Sequence, residues 1–137
     1  MDGRDILEDK LDLHPGPVVD RTLAAHAHIR ALVPDASELH YTTQAVSVAF
    51  TLTGRLKEAF LHVAVYRGHV NLGFNQGASL DDPAGRLQGS GRAIRHVRLE
   101  DDTLDDPDIA ALVAAAVAQG VALAGDRKRP NSVVRKS

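Results

Sequence analysis

The chain has 137 residues, with 16 lysines and arginines against 18 aspartates and glutamates and a net charge of −2. This predicts one domain with enough interior to fold without disulfide or metal staples, and no general electrostatic pull towards nucleic acid. The absence of cysteine excludes a disulfide framework, a thiolate metal site, an iron–sulfur ligand set and a cysteine nucleophile, and the 4% aromatic content leaves little for base stacking.

No apolar run approaches the ~20 residues of a membrane span. Asp2, Arg4, Asp5, Glu8 and Asp9 interrupt any signal-peptide pattern, so a cytoplasmic location without a membrane partner is expected. Residues 1–16 are polar and end in His14-Pro15-Gly16. Leu7, Leu11 and Leu13 allow one short helical turn there, and the segment reads as a lead-in. Pro17 is suited to a helix start, where its missing N–H has no partner to lose. Val18, Thr22, Ala25, Ile29, Leu32 and Val33 then fall on one stripe at helical spacing, which predicts a helix over 17–33 that Pro34 ends. Residues 35–40 read as a short helical turn capped by Asp35.

The period then changes to two. Val46, Val48, Phe50 and Leu52 alternate with Ser47, Ala49, Thr51 and Thr53. Leu61, Val63 and Val65 alternate with His62 and Ala64, and Val70, Leu72 and Phe74 alternate with His69, Asn71 and Gly73. Thr53-Gly54-Arg55 and Arg67-Gly68 supply the turns. Three strands, 46–53, 59–66 and 69–75, thus carry one apolar face each, the pattern of an antiparallel sheet covered by helices on one side. Residues 76–91 form a long Gly-rich connection, a type of segment that is often functional. A fourth strand is expected over 92–99. Ile94 lies out of step there with Val97 and Leu99, which predicts a bulge or a strand covered on both faces.

An acidic stretch, 100–108, precedes a helix over 107–124, with Asp105 or Asp106 as cap and Pro107 in the first turn. Ile109, Leu112, Val113, Ala116 and Val117 make its buried stripe. Residues 126–137 hold Arg127, Lys128, Arg129, Arg135 and Lys136 and read as a basic, disordered tail. The fold class is therefore α+β: a two-layer sandwich with an antiparallel sheet of four or more strands on N- and C-terminal helices. Residues 17–125 form the single domain.

Three constellations bear on chemistry. Arg92, His96 and Arg98 share one strand face and Arg95 the other. With His69 and Asn71, and with Gly77 and Asp82 of the connection, they form a candidate site for a carboxylate or phosphate. Glu100, Asp101, Asp102, Asp105 and Asp106 make an oxygen-rich candidate metal site suited to hard cations and to loosely held iron. His62, His69 and His96 would suit zinc or iron if their strands bring them together. Each has a plainer competitor: arginines paired with acidic neighbours, carboxylates that cap a helix, and surface histidines. No Gly-x-Ser-x-Gly elbow or phosphate loop is present.

Leu72-Gly73-Phe74, Gly77-Ala78-Ser79-Leu80-Asp81-Asp82-Pro83, Gly89-Ser90-Gly91-Arg92 and Ile94-Arg95-His96 together resemble the YdhG-like family, domain of unknown function 1801. With the flanking helices the resemblance covers about residues 17–124. It departs in having Arg92 where the family has lysine and Tyr41-Thr42-Thr43-Gln44 where the family has Tyr-Gly-x-Pro. The resemblance implies an antiparallel sheet on two helices and, through frataxin-like members, a metal handler with iron as its cargo. The expected function is a small non-enzymatic binding protein of that kind. The alternative is an adaptor that binds an anionic small molecule or protein partner through the Arg/His strand and Gly-rich loop. A protein partner or a homodimer through an unpaired edge strand is compatible with either, and no specific nucleic-acid partner is expected.

Overall fold

The computed structural model describes residues 2–125 and 134–136. Helices α1 (Gly3–Lys10), α2 (Gly16–Leu32) and α3 (Pro107–Gly125) lie with strands β1 (Ser37–Thr42), β2 (Val46–Thr51), β3 (Leu61–Val65), β4 (Val70–Phe74), β5 (Arg95–Arg98) and β6 (Val134–Lys136). The sheet order is β5-β4-β3-β2-β1-β6, antiparallel throughout except for β6, which runs parallel to β1. This is the expected α+β two-layer arrangement.

The alternation read from the sequence is the register of the core. Phe50, Leu61 and Phe74 face one another across three strands, and Val48, Val63, Leu72 and Val97 across four. All are at most 5% exposed. Ile29 and Ala25 of α2 and Ile109, Leu112, Val113 and Ala116 of α3 close over them. The helix ends follow from local chemistry. Asp106 Oδ1 accepts from the N–H of Asp108 at 2.9 Å to cap α3, and Pro107 occupies its first turn. Close packing sets some residue choices. A Cβ on Gly120 would lie 2.4 Å from the Phe60 ring, so glycine is what lets α3 sit on that ring.

Four expectations are corrected. Residues 3–10 are a helix of the core and not a lead-in, because Ile6, Leu7 and Leu11 are at most 3% exposed against the sheet. Asp2 caps this helix, its carboxylate accepting from the Asp5 N–H at 3.0 Å. Residues 37–42 are a strand and not a helical turn, because they pair along their length with β2. The fourth strand starts at Arg95 without a bulge, and Ile94 belongs to the loop before it. The tail lies outside the described residues except for Val134–Lys136, which form β6 beside Glu38, Leu39 and His40.

α3 also qualifies the expectation about membrane length. It is the one described helix long and apolar enough to cross a membrane by length and composition. Here its apolar stripe lies on the sheet. Leu7→Ala is expected to lower unfolding free energy by about 2–5 kcal/mol, the range for a truncated core leucine. Urea denaturation checks this; a loss under ~0.5 kcal/mol would return residues 1–16 to a lead-in role.

Candidate functional site

The structure separates the residues of the expected anion site. Asn71 and His96 lie on the outer face of the sheet, away from the helices, where Asn71 pairs with Arg98 and Gly73 with His96. His69 lies at the β3–β4 turn and stacks on Tyr66, ring centroids 4.7 Å apart. Arg92 is exposed in the loop. The other three residues brace that loop. Arg95 donates to the carbonyls of Gly91 and Ile94 at 2.6 and 2.9 Å, and Gly77 packs beneath it, where a Cβ would lie 2.6 Å from Arg95 Cβ. The Asp82 carboxylate accepts from the N–H groups of Arg86 and Leu87, both at 2.9 Å. The long connection is thus pinned to itself, and Gln88 ties it to the backbone of His96.

The acidic stretch is matched by arginines. Arg21 reaches Asp101 at 2.9 Å and Glu100 at 3.5 Å, and Arg86 reaches Asp106 at 2.6 Å and Asp108 at 3.7 Å. The Arg86 hydrogen bond and backbone N–H groups hold the Asp106 carboxyl below the usual range. Asp102 and Asp105 are exposed. Among the described residues no group of three or more His, Cys, Asp or Glu side chains is arranged to hold a metal ion. The donor set at 100–108 therefore does not fit a metal.

The outer face holds a different site. Its centre carries small, buried side chains on β2, β3 and β4: Ser47, Ala49, Thr51, Ala64 and Gly73. A trough of about 340 Å³ is lined by Tyr41, Leu56, Lys57, His62, Asn75, Gln76, Ala93 and Ile94. Leu56 and Ile94 are 48% and 52% exposed, two large apolar side chains at one rim. Lys57 is exposed beside them. His62 lines the trough, its Nδ1 2.9 Å from Asn75 Oδ1. Since that oxygen only accepts, Nδ1 carries the proton. Burial pushes the His62 imidazole below its usual value; the Asn75 bond opposes this and the nearby His96 charge adds to it. The imidazole is therefore neutral near pH 7, with its Nε2 lone pair free of the proton.

A second polar cluster lies on the core side, between β1 and α2. Glu38 is 1% exposed. Its Oε1 accepts from Nε2 of both His26 and His40, each at 2.8 Å, and Arg30 Nε lies 3.3 Å from Oε2. Arg30 also donates to the carbonyls of Ala36 and Pro34. The first turn of α1 covers the carboxylate so closely that a Cβ on Gly3 would lie 1.9 Å from Oε1. Burial pushes the Glu38 carboxyl up, and the two histidine hydrogen bonds with their charge outweigh it, holding it at about 2. No family model, curated protein or solved structure matches the chain.

The spacing in sequence singled out His62 and His96 but not Tyr41, Lys57, Asn75 or Glu38. The Glu38-x-His40 alternation was the available signal for the buried cluster, once 37–42 is taken as a strand whose inward residues are polar. Because the folded Glu38 pKa lies below its ordinary value of 4.5, its contribution to stability is fully present above pH ~4.5 and disappears as pH falls towards 2. Glu38→Gln is expected to be less stable than the wild type at pH 7, with the gap closing between pH ~4.5 and ~2. Urea midpoints across that range check this; a gap that stays constant would mean that the carboxylate charge contributes nothing.

Proposed function

We propose that the chain is a small non-enzymatic binding protein, and that the outer-face trough takes a ligand or partner segment with an anionic head and an apolar portion. One observation carries this reading: a lysine and a half-buried histidine meet two exposed apolar side chains around one trough. Pockets of this make-up, mostly apolar with a few convergent polar groups, are the usual form of small-ligand sites. Lys57 would pair with the head and Leu56 and Ile94 would cover the apolar portion. The Gly-rich loop that carries the YdhG-like resemblance contributes one wall through Gln76, Ala93 and Ile94. This favours the adaptor reading over metal handling at 100–108, where arginines already pair with Glu100, Asp101, Asp106 and Asp108.

The test is a titration of the ¹⁵N-labelled protein with octanoate, with inorganic phosphate as a head-only probe. Saturable shifts are expected at Lys57, His62, Asn75 and Ile94, stronger for octanoate. Lys57→Ala is expected to weaken octanoate binding about tenfold, the worth of one charge-assisted hydrogen bond. Shifts centred elsewhere, or an affinity indifferent to Lys57→Ala, would overturn the reading.

A further inference from the structure

His62, Gly73 and His96 form one row across β3, β4 and β5 on the outer face. Adjacent strands are ~4.8 Å apart, so the two histidine backbones stand roughly 10 Å from each other with a glycine between them. That glycine leaves the gap open. A Cβ at Gly73 would lie 2.0 Å from both Cε1 and Nε2 of His62, so the ring rests over Gly73 with its Nε2 edge on the row that leads to His96. Asn75 Oδ1 holds the opposite nitrogen, Nδ1, as the proton donor at 2.9 Å and so directs the lone pair to Nε2. A carbonyl oxygen on the remote ring nitrogen is the arrangement found behind metal-ligating histidines, where it fixes tautomer and ring orientation. His96 is fixed as well: its N–H and carbonyl both bond to Gln88, at 2.9 Å each.

We propose that His62 and His96 bind one divalent transition-metal ion across Gly73, and that the ion's open positions receive the anionic head of the ligand. The second half rests on the trough being the ligand site; the first does not. Two imidazole nitrogens select borderline ions such as Zn²⁺, Ni²⁺ or Cu²⁺ over Ca²⁺ or Mg²⁺, and the trough lining, which includes His62 but not His96, adds no carboxylate. Two protein ligands leave at least two positions of a four-coordinate ion for water or an incoming carboxylate or phosphate. The cations on this face do not block the site. Lys57 is exposed at the trough rim, Arg98 belongs to the neighbouring row with Asn71 and lies 3.8 Å from Glu100, and Arg95 has the opposite parity, in register with Phe74.

The experiment is a calorimetric titration of the full chain with ZnCl₂ and NiCl₂ and no other ligand, followed by NMR of the histidine rings. One saturable ion is expected, with shifts at the His62 and His96 rings. His62→Asn and His96→Asn should each weaken binding at least tenfold, and Asn75→Ala about tenfold through loss of the orienting bond. Gly73→Ala should also weaken binding, because the new methyl group displaces the ring. His96 is only half-buried, so His96→Asn keeps the test valid if the His62 or Gly73 variants fail to fold; a thermal melt verifies this. Absence of saturable binding below a millimolar, or binding unchanged in the folded His96→Asn variant, overturns the proposal. Loss of octanoate binding with ion binding intact would overturn the trough reading alone; the reverse would overturn the ion alone.

Discussion

The Glu38 carboxylate is the constraint around which this end of the fold is arranged. Removing an isolated carboxylate from water costs several kcal/mol, and a buried one persists only where partners satisfy it. Here the partners come from separate elements. His26 and Arg30 belong to α2, His40 to β1, and the backbone at Gly3 opens α1. One charge therefore fixes the position of two helices against a strand. It also explains the glycine at position 3, where any side chain would collide with the carboxylate. Apolar packing by Leu7, Leu11 and Ile29 supplies most of the burial, but it is not directional. The hydrogen bonds to Glu38 select which way α1 and α2 meet the sheet.

The two faces of the sheet solve different problems. The inner face is a continuous apolar surface of Val, Leu and Phe under α2 and α3. The outer face at its centre has few long side chains, since Ser47, Ala49, Ala64 and Gly73 lie in adjacent rows. The absence of a Cβ at Gly73 is what permits the His62 ring to lie over β4.

Much of this was legible in the sequence, and the failures have physical causes. β2, β3 and β4 were readable because one-sided burial imposes a period of two, and α2 and α3 because burial of a stripe imposes three- and four-residue steps. β1 was not, because its inward positions, Glu38, His40 and Thr42, are polar and its outward Leu39 and Tyr41 are not. The buried charge cluster reverses the pattern that normally marks a strand. α1 was read as a lead-in because eight residues with two buried apolar side chains, Ile6 and Leu7, look too short to matter until the surface they cover is known. The site was less legible still. Lys57 and Asn75 converge on His62 only through the β3–β4 register and the short turn at Leu56–Glu58, and nothing in their sequence spacing records that. The acidic stretch misled in the opposite direction, since its ion-pair partners Arg21 and Arg86 are remote in sequence.

β6 has a consequence for how the molecule assembles. Its partner strand, β1, lies about 96 residues away, Glu38 pairing with Val134, so their pairing closes the largest loop in the sheet. The entropy of closing such a loop must be met before the contact rewards it, and long-range pairings of this kind form late. Until then β1 is a bare edge in a nascent or refolding chain, able to recruit a strand from another molecule. The charged, inward-pointing residues on that strand are the type that discourages such recruitment. Glu38 and His40, the side chains that organise the finished fold, are thus also of the kind that keeps an uncovered β1 edge from pairing with another molecule.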